Sequence, residues 1–192
     1  MEQHTAEVRK EGEVIWVHGK KFVPYLDSES LQSRIQVLGA EITARYEGKQ
    51  PFFLGVLNGA FVFIADLVRA CHLDCEVGFI RLSSYQGMQS VGQVRTLLGL
   101  DVDIAGRPVI VVEDIIDSGR TMSKLLADLQ QMNPESVEVA TLLSKPAAME
   151  VPVPIHFLGF EIPNKFVLGY GLDYDGIGRN LPAIYQLSVD TE

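Results

Sequence analysis

Acids and a hydroxyl-rich turn crowd one stretch of this chain, Val109 to Met122, which reads Val-Ile-Val-Val-Glu-Asp-Ile-Ile-Asp-Ser-Gly-Arg-Thr-Met. The apolar run Val109 to Val112 predicts a buried strand with Glu113 and Asp114 at its carboxyl end. Two adjacent acids there repel each other unless hydroxyls or a cation share them. Vicinal ribose hydroxyls suit the task, because each donates a hydrogen bond to a carboxylate, and a magnesium ion would lower the repulsion further. Asp117-Ser118-Gly119-Arg120-Thr121 then turns into the next helix, where backbone N–H groups and the positive end of the helix dipole favour an anion. Gly119 lets the backbone approach a phosphate closely, Ser118 and Thr121 offer hydroxyl donors, and Arg120 adds charge at the rim. Read alone, Asp117 or Ser118 would be a helix cap and the acid pair a strand end. Both features lie one short turn apart at one strand end, and this predicts a sugar-phosphate site.

The elements that must hold this site follow from periodicity. Glu13 to Val17 and Lys21 to Tyr25, around His18-Gly19-Lys20, predict a hairpin. A helix follows, with Ser28 or Ser30 as its cap, Leu31, Ile35, Leu38 and Ile42 on one face, and Gly48 beyond its end. Phe52 to Leu57 is an apolar run, Asn58-Gly59-Ala60 turns the chain, and Phe61 to Ala70 reads as a helix. Val77 to Leu82, Val109 to Val112, Val137 to Leu143 and Ile155 to Phe160 predict further strands, with a helix over Thr121 to Met132 that buries Leu125, Leu126, Leu129 and Met132. Strands apolar on both faces and separated by helices predict an open, mainly parallel α/β sheet flanked by helices. Ligands of such sheets bind beyond the carboxyl ends of the strands. Ser83 to Leu97 is polar, contains glycine and is long for a loop, which predicts a lid, with a solvent-exposed hairpin arm as the alternative.

Composition narrows the function classes. A chain of 192 residues with 47% hydrophobic and 21% charged residues can bury a core of its own. Its net charge of -9, from 16 Lys plus Arg against 25 Asp plus Glu, opposes a broad nucleic-acid surface. Met1 to Lys10 lacks the apolar segment of a secretory signal, and no apolar run approaches membrane-spanning length, so a cytoplasmic protein without a membrane partner is expected. Cys71 and Cys75 lack zinc-site spacing and are expected to be reduced and partly buried.

The string Val-Glu-Asp-Ile-Ile-Asp-Ser-Gly-Arg-Thr-Met resembles the phosphoribosyl pyrophosphate motif of type I phosphoribosyltransferases, and its form is similar to that of their hypoxanthine-guanine branch. The resemblance continues through Leu57-Asn58-Gly59-Ala60, Ser84-Tyr85, Leu142-Leu143-Ser144-Lys145 and the run from Gly159 to Tyr174. It implies one phosphoribosyltransferase domain over 1-192, with a core of about 28-160 and a small hood lobe from about 11-27 and 161-192. The implied activity is purine salvage, the transfer of 5-phosphoribosyl from phosphoribosyl pyrophosphate to hypoxanthine and guanine, in a homodimer or homotetramer that uses magnesium.

By the same resemblance Glu113 and Asp114 hold the ribose hydroxyls and Asp117 manages the proton at purine N7. Ser118, Gly119, Arg120 and Thr121 bind the phosphate, while Leu57, Asn58, Gly59 and Arg179 meet the pyrophosphate. Ser84 and Tyr85 begin the lid. Lys145, Phe166, Val167 and Asp173 take the purine, with Lys145 facing the 6-oxo group, Phe166 stacking on the ring and the Val167 backbone reading its edge. Magnesium falls to Glu113, Asp114 and Asp173. Asn58 stands where many relatives carry lysine, and a non-proline cis peptide is implied between Leu57 and Asn58. Arg120 replaces the lysine of some relatives. Two competing readings are a phospho-accepting receiver domain, which also gathers acids at strand ends, and a phosphoribosyltransferase fold turned to RNA binding, which the acidity opposes.

Overall fold

A computed structural model describes residues 8–84, 94–98 and 102–188. They fall into two compact units, one built from the chain up to Ser33 together with the chain from Lys165, the other from Arg34–Asn164.

The larger unit is the open α/β sheet. Five strands run parallel, β4 (Phe52–Leu57), β5 (Glu76–Ser84), β7 (Pro108–Ile116), β8 (Ser136–Ser144) and β9 (Phe157–Glu161), and β6 (Val94–Leu98) closes one edge antiparallel to β5. Their order is β6-β5-β4-β7-β8-β9. The strand order therefore reverses between β4 and β7, the switch point at which open α/β sheets bind ligands. Both faces are covered, as the unbroken apolar strands require. On one face Leu54, Val109, Val111 and Val139 pack with Met122, Leu125 and Leu129 of α3 (Arg120–Gln130). Residues of the opposite alternation, Phe53, Ile110 and Val112, are fully buried as well, and α2 (Phe61–Ala70) buries Phe63, Ile64 and Leu67. Arg45, last residue of α1 (Ser28–Arg45), donates from Nε to the carboxylate of Glu138 on β8 at 2.8 Å and so ties that helix end to the sheet.

The smaller unit carries an antiparallel sheet, ordered β1-β2-β3-β11-β10. It comprises β1 (Val8–Glu11), β2 (Val14–Val17), β3 (Lys20–Leu26), β10 (Val167–Leu168) and β11 (Ile184–Leu187). Ile15, Val17, Phe22, Leu168 and Tyr185 form its core.

The parallel sheet, the hairpin and the helix face of Leu31, Ile35, Leu38 and Ile42, all fully buried, match the sequence expectations. Others need correction. The cap of α1 is Asp27, whose Oδ1 accepts the Ser30 N–H at 2.7 Å, so neither serine fills that place. Met132 is 38% exposed because α3 ends at Gln130, two residues before the periodic pattern does. β7 continues through the acids to Ile116, since Glu113, Ile115 and Ile116 keep pairing with β8. For the segment from Ser83, the flanks pair as antiparallel strands, Ser83↔Arg95 and Ser84↔Val94, and the lid expected between them lies outside the described residues. Ser84 is thus the last residue of β5, whereas Tyr85 lies outside the described residues.

Candidate active site

Within the larger unit the predicted residues converge on the carboxyl ends of β4, β7 and β8. β4 ends in a cis peptide between Leu57 and Asn58. The turn that follows, closed by the Phe61 N–H on the Asn58 carbonyl at 3.3 Å, brings Gly59 against the end of β7. A Cβ built on Gly59 would lie 1.6 Å from Asp114 Oδ2 and 2.4 Å from its Cγ. This glycine is therefore required by the approach of one strand-end loop to the acid of the next, a fact invisible in either segment alone.

Asp114 is buried, and its Oδ1 accepts the N–H of Ile115 at 2.8 Å. Its own N–H donates to Glu113 Oε1 at 3.2 Å. Burial foremost, and then the Asp114 charge beside it, pushes the Glu113 carboxyl well above the ordinary glutamate range. The folded chain keeps Glu113 protonated where the unfolded chain has lost that proton, so stability present below the ordinary glutamate range is lost as pH rises toward the raised value. Glu113→Gln is accordingly expected to melt higher than the parent at neutral pH, by about 1 kcal/mol of stability, with the gap closing in acid. A pH series of thermal melts on both proteins checks this, and a gap between variant and parent no larger at pH 7 than at pH 3.5 would contradict it.

Beyond the acids, Glu113, Ile115, Ile116, Asp117, Ser118, Gly119, Thr121 and Met122 line a pocket of about 190 Å³. Gly119 precedes α3 in the left-handed conformation, φ 78°, and the first-turn amides of such a helix have no intrahelical acceptor, as an anion site requires. Lys145 follows β8, where its N–H bonds the Ile116 carbonyl at 3.0 Å. Its Nζ lies 3.0 Å from Asp117 Oδ2. The lysine side chain is only 9% exposed, against 53% for Asp117, so the pair couples the acid assigned to N7 with the cation assigned to the 6-oxo group. A wider groove of about 810 Å³, lined among others by Thr43, Glu47, Lys49, His72 and Asp74, precedes β4 and β5 and holds none of these groups.

The smaller unit holds the remaining candidates. Val167 pairs with Gln186 in the ladder of β10 and β11. Phe166 is 43% exposed and meets the Tyr174 ring edge-on, centroids 5.5 Å apart. Asp173 and Arg179 form an ion pair at 2.6 Å, Asp173 Oδ2 accepts the Gly176 N–H at 2.6 Å, and Arg179 donates to the Gly171 carbonyl at 2.6 Å. These two residues brace the loop that joins β10 to β11. Among the cysteines Cys71 is buried, its thiol pushed up to about 12 by burial first and then by Cys75.

A parallel sheet with its switch point at an acid pair, followed at once by a glycine turn into a helix, defines a class, and the chain belongs to the phosphoribosyl transferase domain family, whose model matches residues 25–175. More particularly, it is similar to the hypoxanthine phosphoribosyltransferase of Escherichia coli, 46% identical over 157 residues, 80% of this chain and 88% of that protein. It is 44% identical to the bifunctional protein TilS/HprT of Listeria innocua over 83% of its own length, and spans 25% of that longer protein. The structure superposes on a hypoxanthine-guanine phosphoribosyltransferase of Bacillus anthracis with a TM-score of 0.81, at 38% identity, covering 86% of this chain and 96% of that one. A hypoxanthine phosphoribosyltransferase of Trypanosoma cruzi gives 0.82 at 35% identity, covering 86% and 95%. Membership in this family sets aside the receiver-domain reading.

Sequence reasoning missed Glu150 and Val151. Their N–H groups both donate to the Ser118 carbonyl at 3.0 Å. Backbone contacts between distant segments leave no side-chain signature.

Proposed function

We propose that this chain is a purine salvage enzyme that transfers 5-phosphoribosyl from phosphoribosyl pyrophosphate to hypoxanthine and to guanine, releasing pyrophosphate and giving IMP or GMP. The single observation that carries this reading is the Asp117–Lys145 pair, a carboxylate and a buried ammonium 3.0 Å apart at the strand ends that bear the acid pair and the Ser118–Thr121 turn. In the reaction the purine N9 lone pair bonds C1′ of the ribose while the bond from C1′ to pyrophosphate oxygen breaks. Positive charge builds on the ribose, and the acidic pair Glu113 and Asp114 stabilises it through the hydroxyls they hold. Asp117 takes up the proton at N7, and Lys145 donates to the 6-oxo group. Ser118, Gly119, Arg120 and Thr121 hold the 5′-phosphate. Leu57, Asn58 and Gly59, with Arg179, hold the departing pyrophosphate, chiefly through backbone N–H groups. Phe166 stacks on the purine, Val167 reads its edge, Asp173 joins them, and Ser84 with Tyr85 opens the lid that excludes water.

The donor set suits magnesium. Glu113, Asp114 and Asp173 offer only hard carboxylate oxygens, and a cation beside Glu113 would offset the burial and the Asp114 charge that together raise its pKa. Among the described residues no group of three or more His, Cys, Asp and Glu gathers. When bound, magnesium neutralises charge on the leaving pyrophosphate.

Among the described residues no helix is long and apolar enough to cross a membrane. With both cysteines free, a cytoplasmic location fits. Phe61, Val77 and Phe79, each more than 40% exposed on the larger unit, suit a homodimer or homotetramer. Light scattering at micromolar concentration is expected to give a mass of at least twice 21.2 kDa, and a monomer would refute it. For the activity itself, magnesium-dependent consumption of phosphoribosyl pyrophosphate is expected with hypoxanthine and guanine. Turnover with adenine alone would overturn the reading of Lys145.

A further inference from the structure

The turn that begins α3 is held from outside the motif. Glu150 and Val151 donate both their N–H groups to the Ser118 carbonyl, and a Cβ on Gly119 would fall 2.2 Å from the Val151 carbonyl oxygen. Arg120 does not extend freely from this turn. Its Nε donates to Glu150 Oε2 at 2.8 Å, and its terminal Nη2 bonds the same oxygen. Both side chains are largely exposed, 69% and 54%, so water screens the pair and holds it only weakly.

We infer that Glu150 is a positioning residue that draws Arg120 away from the phosphate cradle, while the Glu150 and Val151 amides fix the turn beneath it. Glu150 thereby sets how much cationic charge the cradle presents to a sugar 5′-phosphate. The inference rests on the function proposed above, and its chemistry is that of any phosphate monoester on a ribose. Because the amides act through the backbone, neutralising the Glu150 side chain releases the guanidinium without loosening the turn.

Calorimetric titration with ribose 5-phosphate tests the cradle without requiring transfer. Glu150→Gln is expected to tighten binding by about threefold, the order of one freed, solvent-screened charge contact, and to make binding fall more steeply with added salt. In an Arg120→Ala background the same substitution is expected to change affinity by less than about 1.5-fold, since the two residues then no longer couple. Unchanged or weaker binding by Glu150→Gln overturns the inference, as does equal tightening without Arg120 or a parent protein that binds no ribose 5-phosphate. Purine turnover of the parent is read separately, so that failure of transfer with intact coupling indicts the proposed reaction alone.

Discussion

Asp117→Asn is expected to lower kcat by about a hundredfold or more, the usual contribution of a positioned acid or base, while the dissociation constant for IMP changes by no more than about threefold. The asymmetry has a structural reason. Asparagine keeps the size of the side chain and an oxygen that accepts from Lys145 Nζ, now 3.0 Å from Asp117 Oδ2, so the buried lysine stays hydrogen-bonded and in place. What disappears is the carboxylate proposed to take up the N7 proton as N9 bonds to ribose. Steady-state kinetics with hypoxanthine, set beside equilibrium titration of IMP, separates the two effects. Equal losses in turnover and in nucleotide affinity would remove Asp117 from proton transfer and leave it a binding group.

Gly59→Ala should be nearly as damaging, although it adds a single methyl group. That methyl would sit 1.6 Å from Asp114 Oδ2, far inside van der Waals contact. Either the Asp114 carboxylate rotates and gives up its 2.8 Å bond from the Ile115 N–H, or the turn after β4 retreats. Both outcomes misplace groups assigned to ribose and pyrophosphate, and a displacement of about 1 Å costs on the order of a hundredfold in kcat/KM. Overpacking of this kind also costs about 1–3 kcal/mol of stability. Denaturant melts and kinetics on the same preparation measure the two losses. Removing the obstructing carboxylate in Gly59→Ala/Asp114→Ala is expected to restore most of the stability and none of the activity. Full activity in the single variant would show that the loop and the acid do not need their present approach.

Much of this molecule was legible along the chain. The unbroken apolar strands demanded cover on both faces and so a parallel sheet with helices, and α2 falls on Phe61–Ala70 as its pattern predicts. Errors arose at element ends, where local signals compete. Asp27 outcompetes Ser28 and Ser30 as a cap because its carboxylate reaches the Ser30 N–H. β7 runs past its apolar stretch because pairing with β8 holds Glu113 extended whatever its polarity.

By itself the sequence determined the stretch proposed to bind the sugar phosphate. Residues Val109 to Met122 are contiguous, so a strand leading into a helix brings the acid pair, the base and the cradle together through local geometry alone. Only the tertiary structure decided the partners of that stretch. Gly59 faces Asp114 because β4 and β7 are neighbours in the sheet, Lys145 reaches Asp117 because β8 ends beside β7, and Arg120 meets Glu150 across a connection that no periodicity reveals. Such contacts depend on strand order and side-chain burial, which the whole fold sets and no single segment encodes.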